Sequence, residues 1–104
     1  MQEIDYIFFL TSEMTDRLRV QANKEKGVII EFVVQYEALI SGQWYPVIRY
    51  DTAHGFAHKD IMTKKGRIVK QPLHFETYNL AFTYASMDLK TNWQRYRSDF
   101  EKET

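Results

Sequence analysis

The spacing of the hydrophobic residues changes near Thr77 of this 104-residue chain, and that change limits what the chain can fold into. After Thr77, apolar residues follow one another at intervals of 4, 3, 4, 4, 3 and 4. Such a stripe is typical of an amphipathic helix, and it predicts a helix over residues 77–101. The stripe consists of Tyr78, Phe82, Ala85, Leu89, Trp93, Tyr96 and Phe100.

Before Thr77, apolar and polar residues alternate, as they do in antiparallel strands with one face on a core. The alternation is clearest over residues 30–40, and the other predicted strands cover 16–22, 44–50, 57–62 and 67–71. Residues 23–27 predict a polar turn, whereas residues 1–14 fit either a strand or a short helix. The predicted fold class is therefore α+β: an antiparallel meander sheet of about four to five strands with one long C-terminal helix packed on one face.

The hairpin after residue 40 can be assigned a register from its apolar residues. A three-residue loop pairs Ile40 with Trp44, and it also places Tyr36 opposite Ile48 and Val34 opposite Tyr50. A two-residue loop would bring Arg49 onto the core face, so the three-residue loop is predicted. The predicted inner face comprises Val20, Phe32, Val34, Tyr36, Ile48 and Tyr50, and it meets Phe82, Ala85, Leu89 and Trp93 of the helix.

Composition excludes several classes of protein. There are 14 basic and 14 acidic residues, whereas a dedicated nucleic-acid-binding protein is usually basic. The absence of cysteine excludes disulfides, thiolate zinc sites and a cysteine nucleophile. The N-terminus lacks a basic region, and its apolar run is too short for a signal peptide or a membrane span. A single cytoplasmic domain over residues 1–104, without a membrane partner, is expected.

Candidate chemistry concentrates in residues 49–61, where two of the three histidines lie four residues apart. A bend at Gly55 would bring Asp51, His54 and His58 together as catalytic groups or as ligands for zinc, manganese or iron. Alternatively, His58 and Asp60 share a strand face about 7 Å apart, and the aspartate would orient a general base. Asp51 also suits a simple hydrogen-bonded turn. The sequence leaves these alternatives open and does not identify a metal or another cofactor.

A second feature is the basic hairpin that follows. Five basic residues and one acidic residue lie between positions 59 and 70. Lys64, Lys65 and Arg67 at its tip would contact phosphates of RNA or DNA, or would only protect a sheet edge from aggregation. No Gly-rich phosphate loop accompanies them, which argues against a nucleotide-driven enzyme.

The segment Arg49-Tyr50-Asp51-Thr52-Ala53-His54, followed by His58-Lys59-Asp60-Ile61, resembles a motif of TumE-like proteins, small bacterial and archaeal members of toxin–antitoxin pairs. The resemblance marks Tyr50, Asp51, His54, His58 and Lys59. Thr52 stands where the motif has asparagine, and Asp60 where it has a second histidine. The chain also resembles a small uncharacterised prokaryotic family with the patterns Gln-Tyr-Glu-Ala-Leu and Arg-Tyr-Asp-Thr-Ala-His-Gly.

Two classes of function follow from these features. In the first, a toxin-like protein acts on RNA or nucleotides through Asp51, His54 and His58. Its binding residues would be Tyr50, Lys59, Lys64, Lys65 and Arg67. In the second, a non-catalytic binding or assembly module uses its C-terminal helix to contact a second copy or an antitoxin-like partner. The second class is suggested by the length of the helix, because a helix of roughly 38 Å should overhang strands of roughly 20 Å.

Overall fold

The computed structural model describes residues 1–103 and contains one antiparallel sheet and one helix. The sheet has six strands in the order β1 to β6, each paired with its neighbour in sequence. The strands are β1 (Gln2–Phe9), β2 (Asp16–Glu25), β3 (Val28–Ile40), β4 (Gln43–Asp51), β5 (His58–Met62) and β6 (Ile68–Pro72), and the helix is α1 (Tyr78–Lys102). The predicted α+β meander is confirmed, but the predicted strand number is too low.

The additional strand is β1, in the N-terminal segment whose apolar run fitted either a strand or a helix. It pairs with β2 so that Ile4, Tyr6 and Phe8 lie opposite Ala22, Val20 and Leu18. Since a short apolar run does not distinguish helix from strand, the neighbouring strand decides the conformation. The predicted turn over residues 23–27 is also too long, because β2 continues to Glu25.

Helix α1 agrees with the prediction to within one residue at each end. Thr77 caps its N-terminus, where the side-chain oxygen accepts a 3.1 Å hydrogen bond from the Leu80 N–H. The buried residues of the helix are Ala81, Ala85, Leu89, Tyr96 and Phe100. Tyr78, Phe82 and Trp93 are partly buried at the margins of this face, where Phe82 packs edge-to-face on Phe32 at 5.6 Å.

The predicted overhang of α1 is wrong. Strand β3 has 13 residues and, at about 3.3 Å per residue, is roughly as long as the helix. The last turns of α1 therefore pack on the sheet of their own chain. Phe100 is buried against Tyr45, and Arg97 forms a 2.7 Å ion pair with Asp16 and donates a 3.0 Å hydrogen bond to the Leu39 carbonyl.

The β3–β4 hairpin combines a shorter loop with a bulge. Ile40 pairs with Gln43 across a two-residue loop, so the predicted three-residue loop and the Ile40–Trp44 pair are wrong. A register shift between Tyr36 and Glu37 then restores the predicted pairs of Tyr36 with Ile48 and of Val34 with Tyr50. Trp44 consequently lies on the other face, with the Arg17 guanidinium 3.8 Å from its ring centroid.

A second irregularity changes the start of β3. The β2–β3 register shifts between Asn23 and Lys24, so Ile29 is buried at 5% exposure while Ile30 is 40% exposed. Ile30 therefore does not lie on the inner face, although it begins the predicted alternation over residues 30–40. The predicted inner-face residues from Val20 to Tyr50 are all buried, and α1 packs on β3 and β4, which carry most of them. No helix within residues 1–103 is long and apolar enough to span a membrane.

Candidate functional site

The pairing of β4 with β5 divides the candidate residues between the two faces of the sheet. Asp51 pairs with His58, and Arg49 pairs with Asp60. Tyr50 pairs with Lys59 between them. Because successive side chains of a strand point to opposite faces, Tyr50 and Lys59 face the helix, whereas the other four lie on the open face of the sheet. The predicted residues therefore form two separate clusters.

On the open face, His58 lies between two carboxylates. Its Nε2 atom is 2.9 Å from Oδ1 of Asp51 and 3.6 Å from Oδ1 of Asp60. All three side chains are buried, and His58 is only 3% exposed. In its neutral form with the proton on Nε2, His58 donates a hydrogen bond to Asp51.

Each carboxylate of this cluster has a cation of its own. Arg49 Nε contacts Asp51 Oδ2 at 2.8 Å, and Lys70 Nζ contacts the two oxygens of Asp60 at 3.2 and 3.3 Å. Two negative and two positive groups thus balance around His58. This balance makes it possible to bury the pair of aspartates, because unpaired buried charges are strongly unfavourable.

The loop after β4 closes over the cluster through hydrogen bonds from its own backbone. Asp51 Oδ1 accepts a 3.0 Å bond from the Ala53 N–H, and the Gly55 N–H donates to the Thr52 carbonyl at 3.1 Å. Gly55 adopts φ +81°, a conformation that glycine reaches without strain. Asp51 therefore has the turn-forming contact that its sequence context suggested, and it also contacts His58.

Two exposed rings of this loop lie on the buried histidine. His54 is stacked on His58, with centroids 5.6 Å apart and an interplanar angle of 29°. Phe56 lies 5.6 Å from the same ring at 54°, and 48% of its surface is exposed. The bend therefore brings together Asp51, His54 and His58, and the two histidines do not point to opposite faces of the sheet.

The other predicted binding residues lie elsewhere. Tyr50 donates a 2.6 Å hydrogen bond to Asp88 Oδ2 of the helix, and Lys59 Nζ donates to the Tyr96 hydroxyl at 2.7 Å. The tip residues Lys64, Lys65 and Arg67 are exposed in the turn between β5 and β6. The structure thus does not bring Tyr50 or Lys59 to the histidines.

Asp88 is the centre of the cluster beneath the helix. Burial alone would raise the pKa of this carboxyl, but hydrogen bonds from Tyr50, Tyr96 and Asn92 and the charge of Lys59 outweigh it and lower the pKa. Burial lowers the pKa of Lys59. Burial and the bond to Asp88 raise the pKa of Tyr50 and Tyr96 well above the ordinary value for tyrosine.

Sequence reasoning missed three residues of the open-face cluster, and it considered a fourth, Asp60, only as an orienting partner of His58. Arg49 and Asp60 lie two positions from Asp51 and His58, so strand alternation was a usable signal for both. The place of Lys70 depends on its pairing with Asp60 across β5 and β6, and that of Phe56 depends on the path of the loop.

The donor set of the open-face cluster includes groups that bind metals. One ligand atom from each of Asp51, His58 and Asp60 lies within 4.8 Å of the others. Two carboxylates and an imidazole suit zinc, manganese or iron. However, Arg49 and Lys70 already occupy one side of each carboxylate, and a divalent ion would add positive charge beside them. The donor types fit a metal, but the surrounding charges do not.

A pocket of about 430 Å³ adjoins the bend on its other side. Its walls include Asp51, Thr52 and Ala53 and, from β1 and β3, the acidic residues Glu3, Asp5 and Glu31. This lining repels phosphate. An anionic group would instead approach the cluster from the side of Arg49 and Lys70.

One known protein family matches this chain over its full length as given. A family described as "Domain of unknown function (DUF7718)" matches residues 1–104. The chain belongs to this family. No curated protein and no solved structure matches it. The family has no assigned function, as expected, but none of these comparisons supports either of the motif-level resemblances, including the one to TumE-like proteins.

Proposed function

We propose that this protein binds single-stranded RNA or nucleotides at the bend of residues 51–58, and that His54 supplies acid–base chemistry there. The observation that carries the proposal is the pair of exposed rings, His54 and Phe56, lying on the buried His58. The toxin–antitoxin role suggested by the motif is the biological setting that this chemistry would serve.

The first step of the argument is stacking. Unpaired bases bind to exposed aromatic side chains, and each such contact contributes about 1–3 kcal/mol. Stacking requires an aromatic ring with an exposed face that a base can cover. Phe56 and His54 are such rings, and His58 beneath them limits their movement.

The second step is charge. The guanidinium of Arg49 and the ammonium of Lys70 are both partly exposed on the same face as His58. Since each is paired with a buried carboxylate, it presents only part of its charge to a phosphate. The exposed tip residues Lys64, Lys65 and Arg67 add positive charge further along the hairpin. Binding should therefore be weak and should decrease as salt is added.

The third step assigns roles to the histidines. His58 is buried and bonded to Asp51, so it positions the loop instead of contacting a substrate. His54 is exposed, and imidazole suits proton transfer near neutral pH. Neutral His54 would take the proton of an RNA 2′-hydroxyl as that oxygen attacks the adjacent phosphorus. The protonated ring would then return the proton to the departing 5′-oxygen.

Fluorescence anisotropy with labelled single-stranded RNA, and competition by mononucleotides, tests the binding. Phe56→Ala should weaken binding by about 5- to 150-fold if one base stacks on the ring. His74→Ala is the matched control, since His74 is an exposed histidine of the loop after β6. Equal affinities for wild type, Phe56→Ala and His74→Ala, or no binding at low salt, would refute the proposal.

Cleavage of a fluorogenic RNA tests the chemistry separately. His54→Ala should reduce cleavage by about 10²- to 10⁴-fold, the usual contribution of a general acid–base group, while leaving the circular dichroism spectrum unchanged. Expression of wild type and His54→Ala in a bacterial host tests the toxin role, which predicts growth arrest by wild type alone. Binding without cleavage would leave a nucleotide-binding module and reject the catalytic role of His54.

A second candidate is a partner-binding module that uses the outer face of α1. Leu80, Tyr84 and Met87 are exposed on this side of α1 at spacings of four and three residues, and the ring of Tyr84 also packs against Phe75 and Tyr50. A stripe at this spacing is how an amphipathic helix contacts a groove or another helix. An antitoxin-like partner would be captured by wild type and lost on Met87→Lys, whereas RNA affinity would be unchanged.

A further inference from the structure

The edge strand β1 exposes an unusual run of large apolar side chains. Tyr6, Ile7, Phe8 and Phe9 are consecutive and between 38% and 46% exposed. Consecutive residues of a strand point to opposite faces, so both faces of this edge are apolar. Strand β1 also contains no Lys, Arg, Pro or Gly. An exposed edge of this kind is a template for pairing with another strand.

The opposite edge of the sheet differs in the features that prevent such pairing. Strand β6 is shorter, with five residues, and includes Lys70 and Pro72. Lysine and proline on an edge strand disfavour the addition of a further strand, and proline lacks the N–H that a ladder requires. The chain therefore protects one edge of its sheet and leaves the other available.

We propose that two copies of this chain pair antiparallel through β1, joining their sheets into one continuous sheet across a two-fold axis. This interaction surface is independent of the proposed RNA site. It also differs from the helix-mediated contact that the predicted length of the helix suggested, because α1 packs along its own sheet.

The sequence of β1 selects one register for this pairing. In a two-fold antiparallel pair, Tyr6 opposite Tyr6 of the second copy places Ile4 opposite Phe8, so apolar side chains meet on the helix-side face, where Lys90 Nζ also lies 4.6 Å from the Phe8 ring centroid. Shifting the strands to place Asp5 opposite Asp5 would oppose like charges, which is destabilising. The opposite shift, with Ile7 opposite Ile7, shortens the paired segment. The Tyr6-centred register has neither defect.

Charge complementarity on the open face points to a second copy as the partner. In the Tyr6-centred register, Asp5 lies opposite Ile7 of the second copy, whose neighbour on β2 is Arg19. Asp5 and that Arg19 are thus two strands apart, about 10 Å between Cα atoms, which a long arginine side chain spans. Arg19 is available, since 48% of its side chain is exposed and its contact with Glu37 is long at 3.7 Å.

The expected interface is small. A ladder of seven or eight residues on each side lies near the lower limit of about 1,000–1,200 Å² for a specific interface. Two copies should therefore exchange between monomer and dimer with a dissociation constant on the order of micromolar. The Asp5–Arg19 pairs lie at the surface, so added salt should weaken the dimer.

Sedimentation equilibrium between about 1 and 500 µM measures the association directly, over the micromolar range expected for an interface of this size. Ile7→Lys should weaken it at least tenfold, because a lysine on each copy then lies at the junction. Val69→Lys is the matched control, since it makes the same type of change at a residue of similar exposure on β6. Circular dichroism and melting of both variants establish that each one folds.

A charge exchange tests the register. Asp5→Arg alone should weaken the dimer, and Asp5→Arg combined with Arg19→Asp should restore it. A protein that stays monomeric throughout this range, or a dimer that Val69→Lys disrupts and Ile7→Lys does not, would overturn the proposal. Failure of the charge exchange to restore association would reject the Tyr6-centred register.

Discussion

Replacing Asp88 with alanine tests the polar network between the helix and the sheet. Oδ2 of Asp88 accepts hydrogen bonds from the hydroxyls of Tyr50 and Tyr96, both at 2.6 Å, and Oδ1 accepts one from Asn92 at 2.8 Å. The ammonium of Lys59 lies 3.7 Å from Oδ2. Alanine removes the shared acceptor of these groups at once.

The magnitude follows from the groups left behind. Two buried tyrosine hydroxyls lose their acceptor, and each buried polar group without a partner costs about 1–3 kcal/mol. Asn92 and Lys59 also lose a partner, but contact with solvent limits that loss. We expect a decrease of about 3–5 kcal/mol in the free energy of unfolding, a large part of the usual 5–15 kcal/mol. At about 4–8 °C per kcal/mol, Tm should fall by more than about 10 °C.

Urea unfolding followed by the fluorescence of Trp44 and Trp93 measures this change. Asp99→Ala is the control, since Asp99 is an exposed aspartate on the same helix and should change stability by less than about 0.5 kcal/mol. Tyr50→Phe should cost less in the Asp88→Ala background than in wild type, because the two groups share one interaction. Equal stability of Asp88→Ala and Asp99→Ala would refute the assignment of Asp88 as the centre of the network.

Four further predictions concern pH and the open-face cluster. Tyr50 and Tyr96 have a raised pKa in the folded state, so the stability that they contribute is complete below pH 10.0 and should be lost as the pH rises above it. Thermal melts at alkaline pH measure this loss, and Tyr50→Phe should reduce it. Since the pKa of Asp88 is lowered, its contribution is present above pH 3.8 and should be lost as the pH falls further, as acid titration of Asp88→Ala against wild type would measure. His58→Ala should lower the free energy of unfolding by about 2–4 kcal/mol and His54→Ala by less than about 0.5 kcal/mol, since only His58 is buried. Equal decreases for the two variants in urea unfolding would contradict these roles. Zn²⁺ or Mn²⁺ should leave Tm unchanged, because Arg49 and Lys70 already balance the charges of the carboxylates. A rise in Tm on adding either metal, abolished by Asp60→Asn, would show that the cluster binds the metal.

The register of the β3–β4 hairpin shows where sequence reasoning succeeds and where it stops. The pairs of Tyr36 with Ile48 and of Val34 with Tyr50 were predictable, because the apolar residues of both strands must share one face. The two-residue loop and the bulge near Tyr36 were not predictable. The unpaired extra residue can lie in the loop or in a bulge further along the strand, and both arrangements give the same inner pairs. The position of Trp44 depends on that choice, and its prediction was therefore wrong.

The candidate site shows a similar division. Spacing alone indicated that a bend at Gly55 would bring Asp51 near His58, and the structure places Nε2 of His58 2.9 Å from Asp51. The separation of Lys59 from His58 follows from strand alternation, and the predicted strand over residues 57–62 already implied it. The ion pair between Lys70 and Asp60 requires the β5–β6 register, which local sequence does not determine.

By itself, the sequence determined the period of each segment and therefore the α+β class, the C-terminal helix to within one residue at each end, and most of the inner face of the sheet. These properties depend on local alternation of apolar and polar residues, which a single chain displays directly. Only the tertiary structure decided that the N-terminal segment is an edge strand, that α1 stays on its own sheet, and that two carboxylates with two cations surround His58. Each of these depends on which residues become neighbours across strands, and long-range pairing of that kind leaves no periodic signal in the sequence.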